Sequence, residues 1–426
     1  MLKPKLAPTS LNVSDKVQDL SIIHAINLER IKASQVSTVL DILDDLGKDI
    51  ELKLEKIDPT GVGPTYRSRR LASLLEQVKE TSKAHFSKAK AANDKGLKGV
   101  ASASAKATQN IINGSLGVSL GATLPPAATL SVLASNTLIQ GEVVGEYWKT
   151  QNAQSTGNFI RQMRIGITGG ENLQSLIQRV RGTKAANYAD GIMKVAKNKA
   201  EALVRSSVAA VNNEALIKTY QANADLFNGY QWLATLDSRT SDICKARSGL
   251  TWDMDFQPIG HGIGWTAPPA HFNCRSTVIG VLKPWADLAN KPLPAVGAGT
   301  LKEELTKSLT ARGLSPALIS RAINKTQQSM DGFVAGDINF EDWLKGKSER
   351  FQKAILGEQK WELWNNGKIG FVDLVDQKSI PRSIEELKAL VDAGKTSPLM
   401  ANKAAKEAAK EAAKEAKKAA KKASKS

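Results

Sequence analysis

Apolar residues recur at steps of three and four along most of the first hundred positions. Val17, Leu20, Ile23 and Ile26 form one such series, and similar series lie on both sides of a Pro- and Gly-rich break at residues 58–64. This spacing places the apolar side chains on one face of a helix. We therefore predict a long helical N-terminal region over residues 1–106, interrupted once by a turn.

The segment of residues 107–141 differs because it contains no charged residue. Its length would suffice to cross a bilayer as a single helix, but Pro125 and Pro126 fall in its middle and would interrupt that helix. We expect an apolar connector, or two short helices, packed inside the protein or against a partner. The alternative is a membrane-active segment that contacts a membrane at one stage of the protein's life.

Helical periodicity returns after residue 142. Gly169 and Gly170 mark a turn, and the longest helix of this part is expected to start near Ala185. Between Tyr230 and Leu236 the chain becomes aromatic and alternating, which predicts a strand. Residues 142–283 are therefore predicted as one domain that ends in a small α+β module.

The remaining chain divides by composition. Residues 284–299 carry Pro, Ala and Gly and are predicted as a linker, whereas residues 300–398 show helical periodicity. Residues 399–426 are almost a repeat of Ala, Lys and Glu, a composition that favours helix. The predicted fold class is mainly α, with a long helical N-terminal region, a small α+β Cys/His module, a helical C-terminal region and a Lys-rich helical tail.

Charge is concentrated at the C-terminus. The chain has 59 Lys and Arg against 42 Asp and Glu, a net charge of +17 that favours a polyanionic partner. The tail lysines expected to contact DNA are Lys406, Lys410, Lys414, Lys417, Lys418, Lys421, Lys422 and Lys425. The tail is interpreted either as a solvated spacer or as a sequence-independent phosphate-binding arm.

The N-terminal residues show no apolar core followed by a small-residue cleavage site, so we expect no secretory signal. Two cysteines are too few for a disulfide framework in a chain of 426 residues. A reducing cytoplasm therefore suits this chain, with the cysteines as thiols or metal ligands.

Both cysteines fall in one short stretch together with two of the four histidines. Cys244, His271 and Cys274 are ligand types that Zn²⁺ prefers, and the spacing of His271 and Cys274 allows both to face one ion from a turn. The candidates for a fourth ligand are His261, Asp242 and Asp237. Three other interpretations stay open, namely buried thiols that act as small hydrophobes, a disulfide, and a catalytic Cys–His pair.

The same stretch contains a second group of residues with a structural interpretation. Asp237, Arg239 and Thr240 fit a turn in which the carboxylate accepts backbone N–H groups and the arginine forms an ion pair. Trp232, Pro269 and Arg275 complete this group as motif residues around the cysteines.

Two sequence stretches resemble a known family. Trp-Leu-Ala-Thr-Leu-Asp-Ser-Arg-Thr-Ser-Asp-Ile-Cys at residues 232–244 and Pro-Pro-Ala-His-Phe-Asn-Cys-Arg-Ser-Thr at residues 268–277 are similar to the phage Mu F-like minor head proteins, also called phage head morphogenesis proteins. Weaker similarity extends from Trp148 to Leu390. The long N-terminal helical region and the lysine tail depart from a typical member.

The resemblance implies a non-enzymatic minor capsid protein of a tailed double-stranded DNA phage. Such a protein lies inside the head at the portal vertex, acts in head morphogenesis and in DNA packaging or ejection, and passes through the host cytoplasm during assembly. Its partners would be the portal protein, packaged DNA and a scaffold or major capsid protein. In this family the residues matching Cys244, His271 and Cys274 have the look of a metal site, which makes Zn²⁺ the candidate cofactor.

Two other classes of function are also compatible with the sequence. A membrane-active ejection protein would use residues 107–141 after delivery with the genome. A metal-dependent enzyme or toxin-like protein would use the Cys/His module for chemistry.

Overall fold

A computed structural model describes residues 13–56, 64–114, 121–283, 326–329, 332–335, 339–377 and 380–395. The described part is mostly helical, which confirms the predicted fold class. Helices α1 (Val13–Glu55) and α2 (Pro64–Gly114) are the longest elements and pack against each other along their lengths. At 1.5 Å per residue they extend about 65 and 77 Å. The predicted long N-terminal helical region is thus observed, and it reaches beyond residue 106.

Polar contacts fix the register of α1 against α2. His85 of α2 is buried, its Nε2 lies 2.9 Å from a carboxylate oxygen of Asp49, and its Nδ1 lies 3.1 Å from the carbonyl oxygen of Ile42. Apolar side chains of both helices, including Leu43 and Leu97, are fully buried around this contact. The two helices therefore form one antiparallel pair with a shared core.

The described part of the uncharged segment contains the end of one long helix, one short helix and most of a short hairpin. Its first part is the end of α2, and after residue 121 follow α3 (Ala127–Asn136) and the short hairpin of β1 (Leu138–Ile139) and β2 (Glu142–Val143). Its buried apolar residues are Ile111, Ile112, Ala122, Leu130, Leu133, Ala134 and Ile139. This packing agrees with the predicted connector inside the protein. Among the described residues, no helix has the length and apolarity needed to cross a membrane.

Three further helices complete the helical body, namely α4 (Val144–Thr168), α5 (Leu173–Arg181) and α6 (Ile192–Gln221). The turn predicted at Gly169 and Gly170 ends α4. Helix α6 begins seven residues later than expected from the sequence. The Asp190 carboxylate accepts hydrogen bonds from the backbone N–H and the hydroxyl of Thr183. These bonds close a loop where the sequence predicted the first turns of the helix.

A four-stranded antiparallel sheet follows α6, with the strand order β5-β4-β3-β6. The strands are β3 (Phe227–Leu233), β4 (Thr251–Asp253), β5 (Pro258–Ile259) and β6 (Thr277–Leu282). Strand β3 confirms the strand predicted near Tyr230. At Gly229 a Cβ atom would lie 2.0 Å from the carbonyl oxygen of Trp252, so only glycine allows β3 to approach β4 this closely.

The C-terminal region packs onto the Cys/His module instead of forming an independent unit. Its helices are α8 (Phe340–Lys345), α9 (Glu349–Leu356), α10 (Glu358–Asn365) and α11 (Ile384–Asp392). Leu236 of the module is fully buried in the same core as Phe340 and Trp343. The module and this region therefore share a hydrophobic core.

The prediction that residues 300–398 are helical is wrong for one segment. Strands β7 (Thr326–Ser329) and β8 (Gly332–Ala335) pair as an antiparallel hairpin, in which each strand satisfies backbone hydrogen bonds of the other. The spacing of apolar residues does not reveal such pairing between two short segments. The predicted linker at residues 284–299 and the tail at residues 399–426 lie outside the described residues.

Helix α6 connects the helical body to the sheet through Asn213. The side-chain oxygen of Asn213 accepts hydrogen bonds from the hydroxyl of Thr277 at 2.8 Å and from the backbone N–H of Val278 at 3.2 Å. Its amide donates to the carbonyl oxygen of Ala209 within the helix. All of these groups are buried, so this one side chain fixes the start of β6 on α6.

We predict that Asn213→Ala lowers the free energy of unfolding by about 2–4 kcal/mol, because two buried donors on β6 lose their acceptor. Urea denaturation followed by circular dichroism measures the change. Asn198→Ala is the matched control, since Asn198 is exposed on the same helix. Equal stability of both variants would contradict the role assigned to Asn213.

Candidate metal centre

The first cysteine of the site lies on a short helix with a defined N-terminus. Helix α7 covers Asp242–Arg247, and the Ser241 hydroxyl caps it by accepting a hydrogen bond from the backbone N–H of Cys244 at 3.4 Å. Cys244 is 2% exposed and its side chain faces the loop that precedes β6. The cap therefore orients the first turn that carries the sulfur.

The loop before β6 supplies the other two side chains. The N–H of Cys274 bonds to the carbonyl oxygen of His271 in a tight turn, and Asn273 within that turn has a positive φ of 60°. The backbone N–H of Asn273 donates to the buried hydroxyl of Ser206 on α6 at 2.8 Å. This contact and the Asn213 contact hold the loop against α6 on both sides of Cys274.

Cys244, His271 and Cys274 form a compact group of donor atoms. The Cys244 Sγ lies 3.3 Å from His271 Nε2 and 3.5 Å from Cys274 Sγ. All three ligand atoms lie within 4.8 Å of one another, so this group could hold a metal ion. The structure therefore brings together three of the residues that the sequence singled out as candidate ligands.

Hydrogen bonds set the chemistry of the three donors. The Nδ1 of His271 lies 2.9 Å from the carbonyl oxygen of Phe272, which requires a proton on Nδ1 and leaves Nε2 as the acceptor in neutral imidazole. Hydrogen bonding to Cys274 raises the pKa of His271. The pKa of Cys274 lies below that of an ordinary thiol, mainly because of its hydrogen bond with Cys244 and also because of one with His271. The pKa of Cys244 is raised by its hydrogen bond with Cys274 and by burial.

The spacing of the donors fits a tetrahedral ion. Zn–S bonds near 2.3 Å and Zn–N bonds near 2.0 Å imply about 3.8 Å between two sulfurs and about 3.5 Å between sulfur and nitrogen. The corresponding distances here are 3.5 and 3.3 Å, so small side-chain movements would suffice. The Nδ1 contact to a backbone carbonyl is the arrangement that usually orients a metal-binding histidine.

The structure places the candidate fourth ligands elsewhere. His261 directs Nε2 to the carbonyl oxygen of Thr251 at 2.8 Å, and its Nδ1 accepts the N–H of Ile263. The Asp242 carboxylate faces two ammonium groups, at 3.0 Å on one side and 3.1 Å on the other. Both hydrogen-bonding ring nitrogens of His261 are thus used within the protein. Among the described residues, the candidate metal group contains three of the four predicted ligands and not His261.

Asp237 is the centre of the predicted structural turn. Its carboxylate accepts the backbone N–H of Arg239 at 3.0 Å, the kind of contact that the sequence predicted, and also the hydroxyl of Thr240 at 3.2 Å. The main ion pair, however, is with Arg275, whose guanidinium donates two hydrogen bonds of 2.5 and 2.7 Å. The Arg239 side chain is 80% exposed and lies 3.7 Å away. Arg239 therefore contributes less to the ion pair than Arg275, which lies next to Cys274 and binds the carboxylate with two hydrogen bonds.

Trp232 belongs to an aromatic cluster that the sequence did not reveal in full. The fully buried guanidinium of Arg247 lies 5.4 Å from the ring of Trp232 and 5.6 Å from that of Trp252. Arg247 also donates to the carbonyl oxygen of Gly264 at 3.0 Å. Burial lowers the pKa of Arg247 to about 10. Pro269 follows Pro268 through a cis peptide bond in the loop that leads to His271.

The fold and the site define a mainly helical protein with a small α+β module around a buried Cys–His group. Residues 158–279 match the family model described as phage Mu protein F like protein. This match confirms, over that segment, the resemblance expected from the sequence. The matched segment contains the three candidate metal ligands. No curated protein and no solved structure gives a significant match.

The tail lysines predicted to bind DNA lie outside the described residues. Asn213, Ser206 and Ser241, which position the site, were missed by the sequence prediction because their roles depend on contacts between distant segments. A polar residue in the middle of an otherwise apolar helix is the signal that could have indicated the first two.

We predict that Asp237→Asn destabilises the protein by about 1–3 kcal/mol at neutral pH. Burial alone would raise the pKa of Asp237, but hydrogen bonds and charge from Arg275 outweigh it and lower the pKa below its usual value. The stabilisation is therefore present above the unfolded pKa of about 3.9 and is lost as the pH falls through the folded value.

Urea denaturation at a series of pH values measures this effect. The difference between wild type and Asp237→Asn should shrink as the pH falls below about 4. Asp392→Asn, at an exposed position near the end of α11, is the control. A difference that stays constant over the whole pH range would show that the carboxylate charge is not responsible.

Proposed function

We propose that this chain is a minor head protein of a tailed double-stranded DNA phage, bound at the portal vertex inside the head. The observation that carries the proposal is the family match over residues 158–279, which includes the whole buried Cys–His group. In this proposal the protein acts in head morphogenesis and in DNA packaging or ejection. Its partners are the portal protein, packaged DNA and a scaffold or major capsid protein.

We infer a structural and non-enzymatic role for the Cys–His group. Burial supports this role, because Cys244 and Cys274 are each 2% exposed and a catalytic thiol must reach its substrate. The group joins α7 to the loop before β6, two segments about 30 residues apart along the chain. Holding these segments together is the function that its position favours.

The charge of the chain supports contact with packaged DNA. A net charge of +17 suits an environment of dense phosphate, and the tail lysines form a continuous cationic row if the tail is helical. We propose that the tail acts as a phosphate-binding arm. A chain that ends at Met400 keeps every residue of the hydrophobic cores found among the described residues.

We propose Zn²⁺ as the ion for the Cys–His group. When bound, the ion would act as a structural cross-link between two thiolates and an imidazole. Cys244, His271 and Cys274 would hold it, with the Phe272 carbonyl fixing the imidazole orientation.

We predict about one zinc per chain in protein purified without chelators, measured by inductively coupled plasma mass spectrometry. Cys274→Ser and His271→Ala should each lower the metal content severalfold. His261→Gln is the control, since His261 contacts backbone groups outside the ligand group and should leave the zinc content unchanged. Substoichiometric zinc in the wild type, with both thiols reactive after unfolding, would refute the assignment.

A phage with a stop codon in this gene tests the proposed role. We expect heads that lack the protein to contain less DNA or to lose infectivity, and expression of the intact gene from a plasmid should restore both. Quantitative mass spectrometry of purified particles should detect the protein, and reconstruction of the portal vertex should place it inside the head. Normal, infectious particles without the protein would overturn the proposal.

A further inference from the structure

A groove lies on the surface of the helical body, apart from the Cys–His group. One wall is formed by α4 and the other by the first turns of α6, and α5 with the loop that follows it borders one end. Asn158 of α4 and Ile192 and Val195 of α6 border both the part next to α5 and the part away from it. The groove is therefore one continuous surface.

The groove lining has a small excess of positive charge. Its cations are Arg161, Arg179 and Lys199, and its carboxylates are Glu171 and Asp190. Arg161 projects from the α4 wall and Lys199 from the α6 wall, and both are exposed. Their hydrogen-bond partners are the neutral amides of Asn158 and Gln154, at 2.6 and 2.8 Å. Neither cation pairs with a carboxylate in the part of the chain that the structure describes.

The three carboxylates between residues 144 and 199 already have partners. Glu171 forms a bidentate pair with Arg179 at the α5 end of the groove. Asp190 accepts the hydroxyl and backbone N–H of Thr183, and Glu146 pairs with Lys149 on α4. None of these carboxylates pairs with Arg161 or Lys199. Asp190 keeps its negative charge because its donors are neutral, so the groove lining has a net charge of +1, three cations against two carboxylates.

The other groups in the groove are mostly amides and hydroxyls. Asn158, Gln162, Gln178, Ser175 and Thr183 line the part next to α5, and Ser155 lines the other part. Cations, amides and hydroxyls are the groups that most often contact phosphate and sugar oxygens. No aromatic residue lines the groove, so stacking on bases is not expected.

Gly157 allows close approach to the α4 wall. It lies in the interior of α4, where glycine costs about 1 kcal/mol relative to alanine. A Cβ atom at this position would meet nothing within 4 Å, so packing within the chain does not require a glycine here. The missing side chain leaves the backbone of the wall open to a ligand that lies in the groove.

We propose that this groove binds the phosphodiester backbone of nucleic acid without reading its sequence. Arg161 and Lys199 would contact phosphates from opposite walls, and the amides would contact sugar and phosphate oxygens. This inference rests on the proposed function in one respect, namely that packaged DNA surrounds the protein inside the head. An acidic protein segment is less well suited, because apart from Val195 and Ile192 the walls offer few apolar side chains for its anchors.

The test measures binding of a short fluorescein-labelled DNA duplex by fluorescence anisotropy over a range of salt concentrations. The full chain and a chain ending at Met400 are compared, so that the tail and the groove are separated. In both, the double variant Arg161→Gln/Lys199→Gln should bind roughly tenfold more weakly at low salt. The slope of log affinity against log salt should fall by about 2, since two phosphate contacts are lost.

The matched control is Lys368→Gln/Lys388→Gln, which removes the same charge from exposed positions in the C-terminal region. Circular dichroism and thermal melting confirm that both variants fold. Equal losses in both variants, or no DNA binding by the chain ending at Met400, would overturn the proposal. Poly-L-glutamate binding that depends on Arg161 and Lys199, without an effect on DNA, would assign the groove to an acidic protein. The assay does not involve head assembly, so its failure would leave the proposed function standing.

Discussion

The burial of α6 is the constraint on which the rest of the structure depends. Eighteen of its 30 residues are buried, and every residue from Ser206 to Asn213 is among them. Because no side of the helix faces solvent over these two turns, other helices and strands must pack against every face of it. The helices α1, α2, α4 and α5 pack against it, and strand β6 of the sheet contacts it as well.

Polar residues inside this buried stretch determine which element lies on each side. Asn212 accepts the hydroxyl of Ser104 at 2.7 Å and lies 2.8 Å from Nε2 of His24, so one amide contacts both long helices. Ser206 and Asn213 contact the loop before β6 and β6 itself. An unpaired polar group at this depth would cost about 1–3 kcal/mol, so these contacts select one arrangement of the surrounding elements.

Much of the fold could be predicted from the sequence because its signals are local. Helical periodicity predicted α1, α2, α4 and α5, and the change to aromatic residues predicted β3 near Tyr230. The late start of α6 was missed because Asp190 closes a loop through a hydrogen bond that the pattern does not encode. The spacing of apolar residues predicts helix throughout residues 300–398 and does not encode the backbone pairing of β7 with β8, so it does not predict this hairpin.

The candidate site shows the same division between local and distant information. The clustering of Cys244, His271 and Cys274 was visible in the sequence because the residue types are scarce. The separation of His261 was not visible, since it depends on the pairing of β4 with β5 that brings the Thr251 carbonyl to the imidazole. Likewise Arg275, and not the neighbouring Arg239, pairs with Asp237, because the loop before β6 folds back onto the turn after β3.

The position of the Cys–His group explains why a cross-link is useful there. The four strands of the sheet are short, with two to seven residues each, and the connection from β5 to β6 contains no regular element. Backbone pairing alone therefore constrains this connection weakly. The buried contacts of Ser206 and Asn213 fix one side of the loop on α6, and the donors of Cys244, His271 and Cys274 fix the other side on α7. These three donors could hold a metal ion, and such an ion would cross-link the loop to α7 more firmly than their hydrogen bonds do.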